Sequence, residues 1–318
     1  MVDDELSGEV RVAESPLPRT ERGNFESEAD MTTSVILTGT GVPHPAPGRA
    51  GAGVMVRHGD VSLQFDAGRG TVIRMTEAGV APVDLTAQFV THYHSDHVVD
   101  LPDVAMTRWI TQQLKKTGPL PVVTPNGASR SFVERMLDPY DDDIHVRMEH
   151  TDSPAPRLEI MSFDTPLAPT EVWRSADGLV RVSAIGVRHE PVRDAVAYRV
   201  DTPDGGVVIS GDTRACVEVF ELAKGAELVV HEACRSAAMA KAISGTVFET
   251  IFSYHSDTIE VGRLAQQHGI PRLVLTHLIP APQTDRDEQR FADDVRAGGF
   301  TGELTVGRDL MVFEIGRS

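Results

Sequence analysis

Several apolar, strand-like runs of this chain stop at a residue that can bind a metal. The run AQFVTHYH (residues 87–94) leads into His92 and His94, GGVVISGD (205–212) ends in Asp212, and RLVLTH (272–277) ends in His277. After the run VRVSAIGV, the segment GVRHEP adds His189. A buried strand that ends in His or Asp delivers that side chain to the rim of its sheet, where ligands bind. Such runs alternate along the chain with segments of helical period, which predicts a layered α/β domain with sheets between helices.

Further strands are expected in SVILTG, GVMVRHG, VSLQFDAG, PVVTP, DAVAYRVD, ELVVHEA and LMVFEI. Helices are expected in GTVIRMTEAG, from about Leu101 to Lys116, and in GASRSFVERML, SDTIEVGRLAQQHG and RDEQRFADDVRAGG. Residues 1–30 hold nine acids and three arginines and read as a disordered acidic tail. Residues 31–318 then form one domain, and Met31 is a possible alternative start. Residues 141–180 carry the same acidic excess and read as an irregular insert within it.

The stretch VTHYHSDHVVD (90–100) puts His92, His94, Asp96 and His97 within six positions of a chain that has twelve histidines. Leaving a strand, His92 and His94 are two apart and point the same way. The next turn brings Asp96 and His97 round toward a second ion, so one segment serves two metals. Asp96 as a helix cap is the bland alternative. Imidazole and carboxylate donors suit zinc, and accept Mn2+ or Fe as well. Cys216 and Cys234 stand in no CxxC or zinc-finger spacing.

The set HxHxDH, a later His, an Asp in GDT and a final His resembles the metallo-β-lactamase superfamily, from about Val35 to Ile315. The resemblance implies an αββα four-layer sandwich, two mixed β-sheets flanked by helices. It also implies two Zn2+, one held by His92, His94 and His189, the other by Asp96, His97 and His277, with Asp212 bridging. LTGTGVPHPAPGRAG, FDAGRG, HSDHVVDLPD, HEAC and YHSDT resemble the ribonuclease Z and arylsulfatase-like branch. In that branch a Glu and a His form a pair beside the metals, which here are Glu232 and His255. The carboxylate orients the imidazole and raises its pKa, so that His255 can protonate a leaving oxygen. Asp66 is read either as a carboxylate that holds a ligand histidine in one tautomer or as a turn residue beside Gly68. Gly39 and Gly41 are read as allowing close backbone approach beneath the site. Trp109 reads as core, with a pocket position as the alternative. Trp173 lies in the acidic insert, read as a lid or a dimer contact.

Two metals supply hydroxide at neutral pH and stabilise charge on a phosphoryl, sulfuryl or carbonyl oxygen, so the expected reaction is ester hydrolysis, with Asp96 as a possible proton acceptor. The net charge is −17, whereas proteins that grip nucleic acid usually carry cations against the phosphates. The interval 141–180 lacks the glycine-rich basic arm of ribonuclease Z, and Asp100 stands where that family tends to have Gly. The expected substrate is therefore a small phosphodiester or sulfate ester, with tRNA disfavoured. A lactonase is the alternative, and a non-enzymatic relic of the site the remotest reading. The chain has no secretory h-region and no apolar run of the ~20 residues that span a bilayer, so a cytoplasmic protein is expected, and the resemblance to the branch implies a homodimer.

Overall fold

The computed structural model describes residues 32–115 and 117–316, so the acidic tail and Met31 lie outside the described residues. The first half runs β1 (Ser34–Gly39), β2 (Gly53–His58), β3 (Val61–Phe65), α1 (Thr71–Glu77), β4 (Ala87–Phe89), α2 (Ser95–Val98), α3 (Leu101–Lys115), β5 (Leu120–Pro125), α4 (Ala128–Arg135), α5 (Asp141–Thr151) and β6 (Leu158–Phe163). The second runs β7 (Thr170–Arg174), β8 (Arg181–Gly186), β9 (Val196–Thr202), β10 (Gly205–Ile209), α6 (Val217–Leu222), β11 (Leu228–Cys234), α7 (Ser236–Ile243), α8 (Val247–Ser253), α9 (Thr258–Gln267), β12 (Arg272–Ile279), α10 (Asp285–Ala297), β13 (Glu303–Val306) and β14 (Val312–Glu314).

The strands form two seven-stranded sheets, ordered β14-β1-β2-β3-β4-β5-β6 and β13-β12-β11-β10-β9-β8-β7. Each sheet is mixed. In the first, β3 to β6 are parallel and β14, β1, β2 and β3 antiparallel. In the second, β10 to β13 are parallel and β7 to β10 antiparallel. Side chains alternate across each strand. Val207 and Ile209 of β10 therefore point into the core between the sheets, where they meet Leu63, Phe65 and Phe89. Val208 points the other way, into a core with Phe220 of α6, Val261 of α9 and Phe291 of α10. The first sheet is covered likewise, with Met55 and Val122 packed on Met75, Leu101 and Val133 of α1, α3 and α4. The order of layers is helix, sheet, sheet, helix, as expected. Strands buried on both faces read as unbroken apolar runs, which is why VVI, LVV and LVL were visible in the sequence.

The expectation of an irregular insert over 141–180 is corrected. That segment holds α5 and the two strands β6 and β7, which close one edge of each sheet. Edge strands bury little, and β6 and β7 have no run of buried positions. Their apolar pattern is accordingly weak. Trp173, on β7 within that segment, is buried. It sits in the core between the sheets and meets the Phe89 ring edge-on at 5.9 Å. Trp109 packs with Met106 and Ile144, and its indole N–H donates to the carbonyl of Pro154 at 2.8 Å.

Candidate metal centre

The ends of β4, β10, β11 and β12 meet at one rim of the sandwich. β4 ends at Phe89, and the chain then carries His92 and His94 out of the strand into α2, a single turn that holds Asp96 and His97. His94 occupies the cap position of that turn without a side-chain cap bond, and Asp96 does not cap it either. Asp212 follows β10 through Gly211, whose φ of 58° is left-handed. A Cβ on Gly211 would lie 2.9 Å from Cβ of Thr91, so the turn that throws Asp212 inward needs glycine. Gly39 is tighter still, since a Cβ there would meet the carbonyl oxygen of Gly51 at 1.7 Å.

His277 reaches the cluster by a different device. Pairing of β11 with β12 runs Glu232 opposite Thr276 and then Ala233 opposite Leu278, so His277 is an extra residue in β12. Its φ is 45°. A bulge of this kind re-aims one side chain, and strained backbone clusters where function requires it. Asp66, at the end of β3, is the second non-glycine residue of the site with a left-handed φ, 57°.

The donor atoms fall into overlapping groups, each within 4.8 Å across. They are His92, His94, His189 and Asp212; Asp96, His97 and His277; and Asp212, His255 and His277. The two Asp212 oxygens lie between the first two groups, Oδ2 at 3.9 Å from Nε2 of both His92 and His189, and Oδ1 at 3.2 Å from Nε2 of His97. Nε2 of His277 stands 3.1 Å from Oδ2 of Asp96 and 3.5 Å from that of Asp212.

The partners of the imidazoles fix which nitrogen faces the cluster. Asp66 accepts from the Thr91 amide and hydroxyl, both at 2.8 Å, and from Nδ1 of His97 at 2.7 Å. With its proton given to Asp66, the Thr91 hydroxyl accepts from Nδ1 of His92 at 3.0 Å. Nδ1 of His189 donates to the carbonyl of Tyr254 at 3.1 Å. All three rings therefore turn Nε2 inward. Nε2 of His92, Nε2 of His97 and Oδ1 of Asp212 are buried without a hydrogen-bond partner. Asp66, Asp96, Asp212 and Glu232 are buried, and among the described residues no lysine or arginine forms an ion pair with them. Buried donor atoms without partners, beside carboxylates that no lysine or arginine pairs with, fit a divalent cation.

Charges within the cluster are strongly perturbed. Burial and neighbouring His97 hold His92 well below the usual imidazole range. Burial, reinforced by His189, lowers His94 to about 4. For His97, burial opposes the charge, but Asp212, Asp66 and Asp96 outweigh it and raise the ring well above its usual value. Burial likewise opposes ionisation of Asp96, yet His97 and His277 lower it to about 2.

Beside the cluster, Oε1 of Glu232 accepts from the Thr213 amide at 2.8 Å and from Nδ1 of His255 at 3.0 Å. Burial lowers the His255 pKa, and Glu232 overcomes that to raise it to about 9. The N-terminus of α9 is capped by Asp257, which leaves His255 to Glu232. Asp100 serves structure, since its Oδ2 accepts the Val72 amide at the start of α1. Thr91, which orients both Asp66 and His92, was missed although it stands inside VTHYH.

The profile of the β-lactamase superfamily domain matches residues 63–278. Ribonuclease Z of Mycobacterium bovis (strain BCG / Pasteur 1173P2) is 34% identical over 283 residues, 88% of this chain and 98% of the relative. The chain belongs to the metallo-β-lactamase superfamily, on its ribonuclease Z branch. Ribonuclease Z of Mycolicibacterium paratuberculosis is 36% identical over 277 residues, 87% of this chain and 96% of the relative. The metallo-β-lactamase fold protein YhfI from Bacillus subtilis superposes with a TM-score of 0.68 at 21% identity, over 89% of this chain and 99% of its own. Human tRNase Z, short form, gives 0.60 at 20% identity, over 89% and 99%.

The protein is thus a metal-dependent hydrolase acting on ester bonds, and its fold implies a divalent metal. The expectation of a small-molecule ester in place of tRNA is corrected, because the relatives matched along nearly their whole length are ribonucleases Z. Net charge misled here because it averages the whole chain, including the acidic tail, whereas substrate meets only one rim. Among the described residues, no helix is long and apolar enough to cross a membrane.

Proposed function

We propose that this chain is a dinuclear zinc phosphodiesterase of ribonuclease Z type, which hydrolyses a phosphodiester bond of RNA, with transfer RNA as the substrate class. His92, His94 and His189 would hold one zinc ion and Asp96, His97 and His277 the other, with Asp212 in reach of both groups. When bound, the pair supplies an activated water and offsets charge that develops on the phosphoryl oxygens.

The chain's own residues carry the rest. Asp66 and Thr91 hold His97 and His92 in the tautomer that ligation requires. Glu232 accepts the hydrogen bond from Nδ1 of His255, so the proton delivered to the leaving oxygen departs from Nε2. This buried Glu232–His255 pair, 3.0 Å apart at the margin of the donor cluster, is the observation that carries the reading. An ester with an alkoxide leaving group needs such a donor, and the leaving ribose oxygen of RNA is an alkoxide.

The test is a side-by-side assay of protein of known metal content on a tRNA precursor, bis(p-nitrophenyl) phosphate and p-nitrophenyl sulfate, each with and without chelator. Chelator-sensitive cleavage of the RNA and the diester, with the sulfate untouched, is the expected outcome. Two bound metals with no turnover of either phosphodiester would sink the proposal.

A further inference from the structure

The cavity above the donor cluster has a volume of about 300 Å3. Its floor is made by His94, Asp96, Asp212, His255 and His277. Its wall carries Val42, His44, Phe248, Ile251 and Phe252. No lysine or arginine among the described residues lines it. With cations bound at the proposed donor groups the floor would suit an anionic group, whereas the apolar wall does not.

Two aromatic rings stand at the mouth. Phe248 of α8 is 41% exposed although it is a large apolar side chain. The exposed His44, on the loop after β1, faces it with ring centroids 6.3 Å apart and planes inclined by 49°. Phe252 braces Phe248 from within the same helix at 6.2 Å and 72°. The two rings come from opposite halves of the chain and converge on one opening.

RNA offers a protein two chemistries, an anionic backbone and flat bases. A cavity with no lysine or arginine in its lining draws little from the backbone through its own side chains. Aromatic side chains take the bases, because every base presents a π-face. We propose that Phe248, braced by the tilted His44 ring, forms one wall of a base clamp and stacks on the base of the nucleotide next to the scissile phosphodiester. The proposal rests on the phosphodiesterase reading above and adds a specificity element to it. Phe248 touches the nucleoside and none of the reacting atoms.

Two chromogenic esters with one leaving group separate the roles. The p-nitrophenyl ester of adenosine 5′-monophosphate carries a base, and methyl p-nitrophenyl phosphate carries none. The metal-loaded protein is expected to prefer the nucleoside ester in kcat/KM. Phe248→Ala lowers that preference roughly tenfold, mainly through KM, as loss of one stacked base does. Phe248→Leu, which keeps apolar bulk without a π-face, lowers it as well, and Phe248→Trp restores it. A preference left unchanged by Phe248→Ala, or kept by Phe248→Leu, overturns the clamp while leaving the phosphodiesterase intact. No turnover of either ester by protein with two metals bound overturns the phosphodiesterase reading, and the clamp falls with it.

Discussion

The first sheet brings its donors to the rim on one short segment, whereas the second brings its groups one at a time. After β4, His92, His94, Asp96 and His97 follow within a few residues and enter both main donor groups. In the second sheet Asp212 follows β10, Glu232 lies on β11, His277 on β12, and His189 and His255 come from loops. The first arrangement is local, so its geometry is set by a strand end and one helical turn. The second depends on parallel register across strands far apart in sequence, so backbone devices that fix register matter more there.

The contrast is broken most directly at Asp212. Its two oxygens lie between two groups, so Asp212→Ala is expected to reduce metal content at both and to take turnover to background. His92→Ala removes a donor from one group only. Metal analysis that finds equal losses in the two variants would show that the halves do not differ in this way. His255→Ala is the next largest effect. It leaves metal content near that of the parent and lowers kcat on RNA about 10²- to 10⁴-fold, the range for loss of a general acid. On an ester that leaves as p-nitrophenolate the loss shrinks, because that leaving group needs no proton. An equal loss on both substrates would remove His255 from the proton-donor role.

Asp66→Asn probes the local arrangement from behind. It keeps the shape but weakens the bond to Nδ1 of His97, and such changes typically cost about 10- to 100-fold in metal affinity. Titration with a competing chelator measures it, and an unchanged affinity would make Asp66 a turn residue after all. Gly211→Ala probes the register-dependent arrangement. Left-handed backbone at a non-glycine residue costs of order 1–3 kcal/mol, and the new methyl group would meet Thr91. A denaturant midpoint near that of the parent would show that the turn relaxes.

The same contrast explains what could be read from the sequence. Four donors in six positions are conspicuous, and strands buried on both faces stand out as apolar runs. His277 was visible as a residue at the end of RLVLTH, but not the bulge that aims it, because a bulge is a property of the pairing between β11 and β12. The strands β6, β7 and β13 and the short helices α5 to α8 were missed. Most of their positions are partly or fully exposed, so burial writes little periodicity into them. Phe248 was passed over for the same reason, as one apolar residue in an unassigned segment.

Trp109 provides the smallest test. The sequence left it between core and substrate pocket, and it lies on α3, directly after α2. In the fold it is 5% exposed, packed with Met106 and Ile144, with its indole N–H bound to Pro154. Trp109→Phe keeps most of the apolar contact and removes that hydrogen bond. The expected cost is about 1 kcal/mol of stability, the usual net worth of one such bond. Because Trp109 does not line the cavity above the donors, kcat and KM on RNA stay at parental values. A raised KM with unchanged stability would reverse the assignment and make α3 part of the substrate surface.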